Sequence, residues 1–237
     1  YYLKHIDESG NASSSGVNMF GGYRAGGQGT TGNITSGEQN HAIGFECGEE
    51  ITSGNYNTLY GYKAGTNIRN GNANVAIGRE TLIDIRQNHG NVAVGSGVLR
   101  NLDNGDYNFN VGVGYLALNS AGQAEGNIGI GQQAGDSLSD GDKNTFIGCL
   151  AGGTGTNNIT TGGNNILLGN EAQATSATVS NEVTIGNSSI TKFRIPGINF
   201  ILKDNGGTPS SGQVLTADGS GEGYWATASG TTINNNA

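Results

Sequence analysis

Asn74-Val-Ala-Ile-Gly78, Asn91-Val-Ala-Val-Gly95 and, further on, Asn127-Ile-Gly-Ile-Gly131 decide the fold. The pattern is Asn, three apolar or small residues, then Gly. It also occurs as NMFGG from Asn18, NHAIG from Asn40, NTLYG from Asn57, NVGVG from Asn110, NTFIG from Asn144 and NILLG from Asn165. A last copy, EVTIG from Glu182, has Glu in place of Asn. Successive starts are 22, 17, 17, 17, 19, 17, 17, 21 and 17 residues apart, so the chain repeats a 17-residue unit and tolerates short insertions. A fixed period of this kind is the signature of a repeat architecture.

The rest of the unit is patterned as well. Three residues after the motif Gly stands a small or modest side chain, as in Ala25, Cys47, Ala64, Thr81, Val98, Ala117, Ala134, Ala151, Ala172 and Ser189. Gly or Leu mostly follows it, and a polar stretch then leads to Gly-x-x-Asn. Each unit reads as strand, tight turn, second short segment and longer polar turn. Seventeen residues are too few for a helical repeat and fit one coil of a β-solenoid or β-roll. The expected fold is all-β: about ten such coils, on the order of 50 Å of stacked rod at the usual strand spacing.

Alternation places residues two apart on one strand face. The residue before each motif Gly is apolar in nine of ten copies, so Ile43, Ile77, Val94, Ile130, Ile147, Leu168 and Ile185 are expected in the core of the coil. The intervening Ala or Gly is then expected to face, and closely approach, another backbone. A recurrent Asn bonds its own turn, and identical Asn residues stacked along the rod can form ladders. The organisation expected is an entry segment at 1–17, the repeat at 18–190, a non-repeating end at 191–228 and a tail at 229–237. The opening at Tyr1 is expected to be a cut within a longer polypeptide.

Composition narrows the function. Glycine contributes 44 of 237 residues, and apolar residues only 34%, against the roughly 45–50% of ordinary domains. The formal charge of −8, with 11 scattered Lys and Arg, argues against nucleic acid, which is bound through phosphate neutralisation. No apolar run approaches the length of a membrane-spanning helix.

NVAIG, NVAVG and NIGIG, with the following small residues and the G-x-x-N turn, resemble the β-roll heads of trimeric autotransporter adhesins and the shaft and tip repeats of phage tail fibres. Val183–Asn187, Phe193–Gly197 and the segment Gly212-Gln-Val-Leu-Thr-Ala-Asp-Gly-Ser-Gly-Glu-Gly-Tyr-Trp225 look like tail-fibre sequence near a fibre end. The resemblance implies a parallel homotrimer on a virion or, alternatively, a bacterial surface, and a fibre that presents a host-binding end. A polysaccharide-degrading tailspike is the third class.

Candidate chemical sites are few. His5, His41 and His89 lack neighbouring ligands at metal spacing. Cys47 and Cys149 lie six coils apart, roughly 29 Å at the usual rise and too far for a disulfide. Asp103–Asp106 and Asp140–Asp142 lack the distal Glu of a calcium loop and read as turns. Gly112-x-Gly114 and Gly129-x-Gly131 lack the strand–helix setting of a dinucleotide fingerprint. Glu49-Glu50 and Glu80 with Asp84 are the carboxylate pairs available for glycan cleavage. The expectation is no enzyme, cofactor or metal. Exposed aromatics are the candidate receptor contacts: Tyr107, Tyr115, Tyr224 and Trp225, within or beyond the repeat, for a host-surface glycan or envelope component.

Overall fold

The computed structural model describes residues 4–6, 18–26, 36–102, 108–153, 155–193, 213–217 and 223–227. It contains two compact units, Tyr1–Thr191 and Lys192–Ala237. In the first, β1 (Lys4–Ile6) pairs antiparallel with β2 (Asn18–Gly21). There follow β3 (His41–Ile43), β4 (Thr58–Tyr60), β5 (Val75–Ile77), β6 (Val92–Ser96) and β7 (Val111–Tyr115). The series continues with β8 (Ile128–Ile130), β9 (Thr145–Ile147), β10 (Ile166–Leu168) and β11 (Val183–Ile185). From β2 to β11 every strand pairs in parallel with the next in chain order, motif residue on motif residue. The unit is thus an all-parallel β-solenoid of about eight turns, with no helix among the described residues. In the second unit, β12 (Gln213–Ala217) and β13 (Gly223–Thr227) form an antiparallel pair with Leu215 opposite Trp225.

The motif Asn explains why the coils stack. Asn40, Asn57, Asn74, Asn91, Asn110, Asn127, Asn144 and Asn165 are all fully buried. The backbone N–H of each donates to Oδ1 of the preceding coil's Asn at 2.8–3.0 Å. In most coils Nδ2 also donates to the carbonyl at the closing turn of its own coil, as Asn127 does to Gly141 O at 2.9 Å. One side chain therefore closes its coil and binds it to the previous one. Only an amide supplies both donor and acceptor in one planar group of this size. At Glu182 the ladder ends: its N–H still reaches Asn165 Oδ1, while its carboxylate accepts from Thr175 N–H and Thr184 Oγ1.

The motif Gly is demanded twice over. Its φ lies between +120° and +145° in the nine copies from Gly22 to Gly169. A Cβ at Gly131 would sit 2.3 Å from the carbonyl oxygen of Gly148 in the next coil.

The coil's interior corrects the expected register. Within each chain Ile77, Ile130, Ile147 and Ile185 are 39–54% exposed, and Ile43, Val94 and Leu168 are half-exposed. The residue between them, as in Ala42, Leu59, Ala76, Ala93, Phe146 and Leu167, is buried instead. The cause is the Asn. Its side chain must turn inward to reach the ladder, so strict alternation sends the third motif residue in and the second and fourth out.

Inside, that third residue meets the small column of Cys47, Ala64, Val98, Ala117 and Ala134, and a column the sequence reading missed: Ile51, Ile68, Ile85, Leu102, Leu138 and Ile159, all buried. Large and small residues compensate across this thin core. At the bulky strand centres Phe20, Leu59 and Phe146 the turn carries Gly: a Cβ at Gly152 would lie 2.4 Å from the Phe146 ring, and one at Gly65 2.8 Å from Leu59. The space at Gly48 and Gly135, beside small Ala42 and Gly129, is filled by Leu59 and by Leu118 and Phe146 of adjoining coils. Where the centre is small, at Ala76, Ala93 and Gly112, the turn supplies buried Leu82, Leu99 and Leu118. Constant volume with varied residues is what close packing requires.

Candidate functional site

Since the Asn ladder and the small columns fill the interior, the solenoid's distinctive chemistry lies on the outer face of the β2–β11 sheet. Three columns point outward there: the second and fourth motif residues, and the residue after the motif Gly. From β5 to β11 the first two columns are aliphatic apart from Thr145, with Ile128 36%, Ile166 40% and Val183 62% exposed. At β3 and β4 the same columns carry His41, Thr58 and Tyr60, the last 58% exposed.

The third column begins with aromatics. Tyr23 and Phe45 stack with ring centroids 5.1 Å apart, and Phe45 and Tyr62 at 5.5 Å, with interplanar angles of 20° and 11°. These spacings follow from the coil repeat, which puts equivalent residues one strand apart. The facing rings cover one another and tie neighbouring coils together, while the end ring, Tyr23, stays 64% exposed. Lys63 Nζ lies 5.6 Å from the centre of the Tyr62 ring, a cation–π contact. Phe45 belongs to this column, and the sequence reading of the exposed aromatics did not include it; the shared place after the motif Gly was the available signal.

Beside the aromatic column, charges alternate up the stack as Arg24, Glu46, Lys63 and Glu80. Glu46 pairs with Arg24 at 3.8 Å and with Lys63 at 3.2 Å. The hydrogen bond from Lys63 to Glu46, then the Glu46 charge, raises the Lys63 ammonium above its ordinary range. The carboxylates singled out for glycan cleavage take part in this surface lattice. Glu49 pairs with Arg24, Glu50 with Arg69 at 2.7 Å, and Glu80 with Arg79 at 2.7 Å and Arg100 at 3.4 Å. Asp84 Oδ1 accepts from Asn67 Nδ2. Each of these carboxylates is thus engaged by a neighbouring Arg or Asn side chain.

A second polar column runs up the closing turns. Asn55, Asn72, His89 and Asp142 accept backbone N–H groups from the preceding coil, at 2.7 Å for Asn55 N–H to Asn72 Oδ1 and 3.0 Å for Asn72 N–H to His89 Nδ1. Asp142 accordingly serves as the turn acceptor for Glu125 N–H at 2.8 Å. Asp103–Asp106 and Tyr107 lie outside the described residues. Among the described residues no group of three or more His, Cys, Asp or Glu side chains is placed to hold a metal, and no helix is long and apolar enough to cross a membrane.

Both cysteines are free; Cys47 is buried and Cys149 half-buried. Burial pushes the Cys47 thiol up to about 12. Of the expected receptor contacts, Tyr115 ends β7 opposite Ser96 and is 54% exposed. Tyr224 and Trp225 are neighbours on β13, paired with Thr216 and Leu215. Tyr115 therefore belongs to the solenoid, and the other two to the separate hairpin unit. A shallow depression of about 450 Å³ at the C-terminal end of the solenoid is lined by Glu171, Gln173, Thr184 and the 185–189 turn. No family model, curated protein or solved structure matches the chain.

Proposed function

We propose that this chain is a structural attachment protein: part of a trimeric fibre, of the phage tail-fibre kind, that presents or forms a host-surface binding end on the virion. The observation that carries the reading is the outer sheet face. A rod whose coils are held by its own Asn and Gly ladders nevertheless leaves a file of Ile and Val side chains in water along β5–β11. A face of this kind marks an interaction surface, and a self-assembling fibre uses it.

The receptor is a glycan or envelope component, held and not cleaved. Tyr107, Tyr115, Tyr224 and Trp225 are the contacts assigned to it, with the end from Gly197 to Trp225 as the main zone. Each site is weak alone, and three chains on one axis raise apparent affinity by about 10²-fold or more where all engage together.

Three measurements on the whole chain test the proposal: sedimentation mass, a glycan array and a reducing-sugar assay. The expected results are the mass of three chains, glycan binding and no released sugar. A stable monomer at micromolar concentration overturns the fibre assignment, and released sugar moves the protein to the depolymerase class.

A further inference from the structure

The outer sheet face differs along its length, and that difference fixes how copies of this chain can meet. At β5–β11 its two central columns hold about a dozen aliphatic side chains, of which the six Ile are 36–54% exposed. At roughly 50 Å² for each of the six Ile and less for most of the Val and for Leu168, the file presents roughly 300–600 Å² of apolar surface to water. That matches the largest patch of a typical monomer, about 300–600 Å². It supplies roughly half of the roughly 800 Å² that each partner contributes to a standard interface, before β3 and β4 are added. The occupant must also match a surface that repeats at the strand spacing over nine strands, β3–β11. A second copy of the chain does so by construction.

The N-terminal strands select the orientation. His41, Thr58 and Tyr60 stand on β3 and β4 in the columns that are aliphatic further on. Copies laid antiparallel over the whole face would press the imidazole and hydroxyls of one against Ile166, Leu168, Val183 and Ile185 of the other. A polar group buried without a partner is costly. Copies laid parallel and in register bring Thr58 to Thr58 and Tyr60 to Tyr60, groups that both donate and accept, and leave aliphatic residues against aliphatic ones. An antiparallel overlap restricted to β5–β11 avoids the mismatch but leaves Tyr60 and two strands of the face uncovered.

We infer that further copies of this chain pack parallel and in register on the outer face of β3–β11, through the second and fourth motif residues. The inference rests on the self-assembling reading above and names its contact surface. It also reverses the sequence expectation, in which the small-residue strand face approached another backbone and the Ile–Val face lay inside the coil.

An added cysteine at Val75→Cys or Ile77→Cys, in the full chain carrying Cys149→Ser and keeping only the buried Cys47, tests it. Oxidation or a short bis-maleimide reports whether a residue on β5 meets its own counterpart. In an antiparallel arrangement β5 meets β9 or β11, and its own counterpart lies many strands away. The expected result is an oligomer by sedimentation and a like-to-like cross-link in most chains for at least one of the two variants. An oligomer of unchanged melting temperature without that cross-link in either variant overturns the parallel, in-register packing while leaving self-assembly in place. A monomer that melts as the parent does overturns the self-assembling reading itself. Mixing Ile77→Cys with Ile147→Cys or Ile185→Cys protein supplies the converse: a cross-link between unlike sites counts against the inference.

Discussion

Replacing Asn127 by Ala removes one link of the buried ladder while leaving the strand and its neighbours in place. Nδ2 of Asn127 donates to Gly141 O at 2.9 Å, and Oδ1 accepts from Asn144 N–H at 2.8 Å. Both partners are backbone groups, and Asn127 itself is fully buried. Asn144 Nδ2 also loses a contact at 3.1 Å but keeps Gly162 O, and Asn110 Oδ1 keeps the backbone N–H of residue 127. The loss is therefore two orphaned backbone groups. At about 1–3 kcal/mol for each unsatisfied buried group, the cost is about 2–6 kcal/mol per chain. For a chain of this size that lowers the melting temperature by roughly 4–24 °C, at about 2–4 °C per kcal/mol. The control is Asn70→Ala, where the exposed amide only accepts from the Thr52 and Ser53 hydroxyls, which can turn to water. Its cost stays within about 0.5 kcal/mol. Asn127→Asp sharpens the test, because a carboxylate faces the Gly141 carbonyl without a proton to donate. Burial raises that carboxyl, so the variant is least damaged at low pH and loses stability as pH rises through its folded titration. Circular-dichroism melts of the three variants at matched chain concentration decide the matter. If Asn127→Ala and Asn70→Ala melt within a degree or two of each other, the ladder does not hold the coils together.

Further outcomes follow from the same geometry. Gly131→Ala has both a φ of +136° and a Cβ 2.3 Å from the next coil's carbonyl against it. It should cost more than the roughly 1–3 kcal/mol of backbone strain alone, and a melting temperature unchanged within about 3 °C would refute the stacking register. Phe146→Ala opens the thin core between Gly135 and Gly152 and is expected to cost about 3–5 kcal/mol. Ile130→Asp, on the outer face, should instead leave the single chain's strand signal intact and abolish its association in the centrifuge. Equal effects on both readouts for both variants would contradict the assignment of faces. Cys47 remains protonated in the folded chain between its ordinary 9.0 and about 12, whereas the unfolded chain ionises there. Stability is therefore steady below pH 9 and falls as pH rises above it, by up to about 4 kcal/mol near pH 12. Comparing denaturant midpoints with those of Cys47→Ala between pH 8 and 11 isolates this loss, and parallel curves for the two proteins would disprove it.

The repeat by itself determined the class of fold. A 17-residue period, an Asn and a Gly at fixed places and a two-residue apolar alternation leave little but a parallel β-solenoid, and the Asn ladder was legible because identical amides at one period must stack. The small-residue column of Ala64, Ala117 and Ala134 was visible too, as was the exchange of Gly for Leu one residue later, although its reason was not. That exchange compensates for the bulk of Phe146 or Leu59 across a core one side chain thick, a relation between residues that only the closed coil brings together. The face of each strand was decided in three dimensions. Hydrophobicity alone sends Ile77 and Ile130 inward, and a lone strand would satisfy either choice. The buried amide of Asn74 or Asn127 removes the choice, because it alone pairs with the backbone groups inside the stack, which would otherwise be left without partners. Alternation fixes relative positions along a strand; which set faces inward depends on where the polar ladder closes.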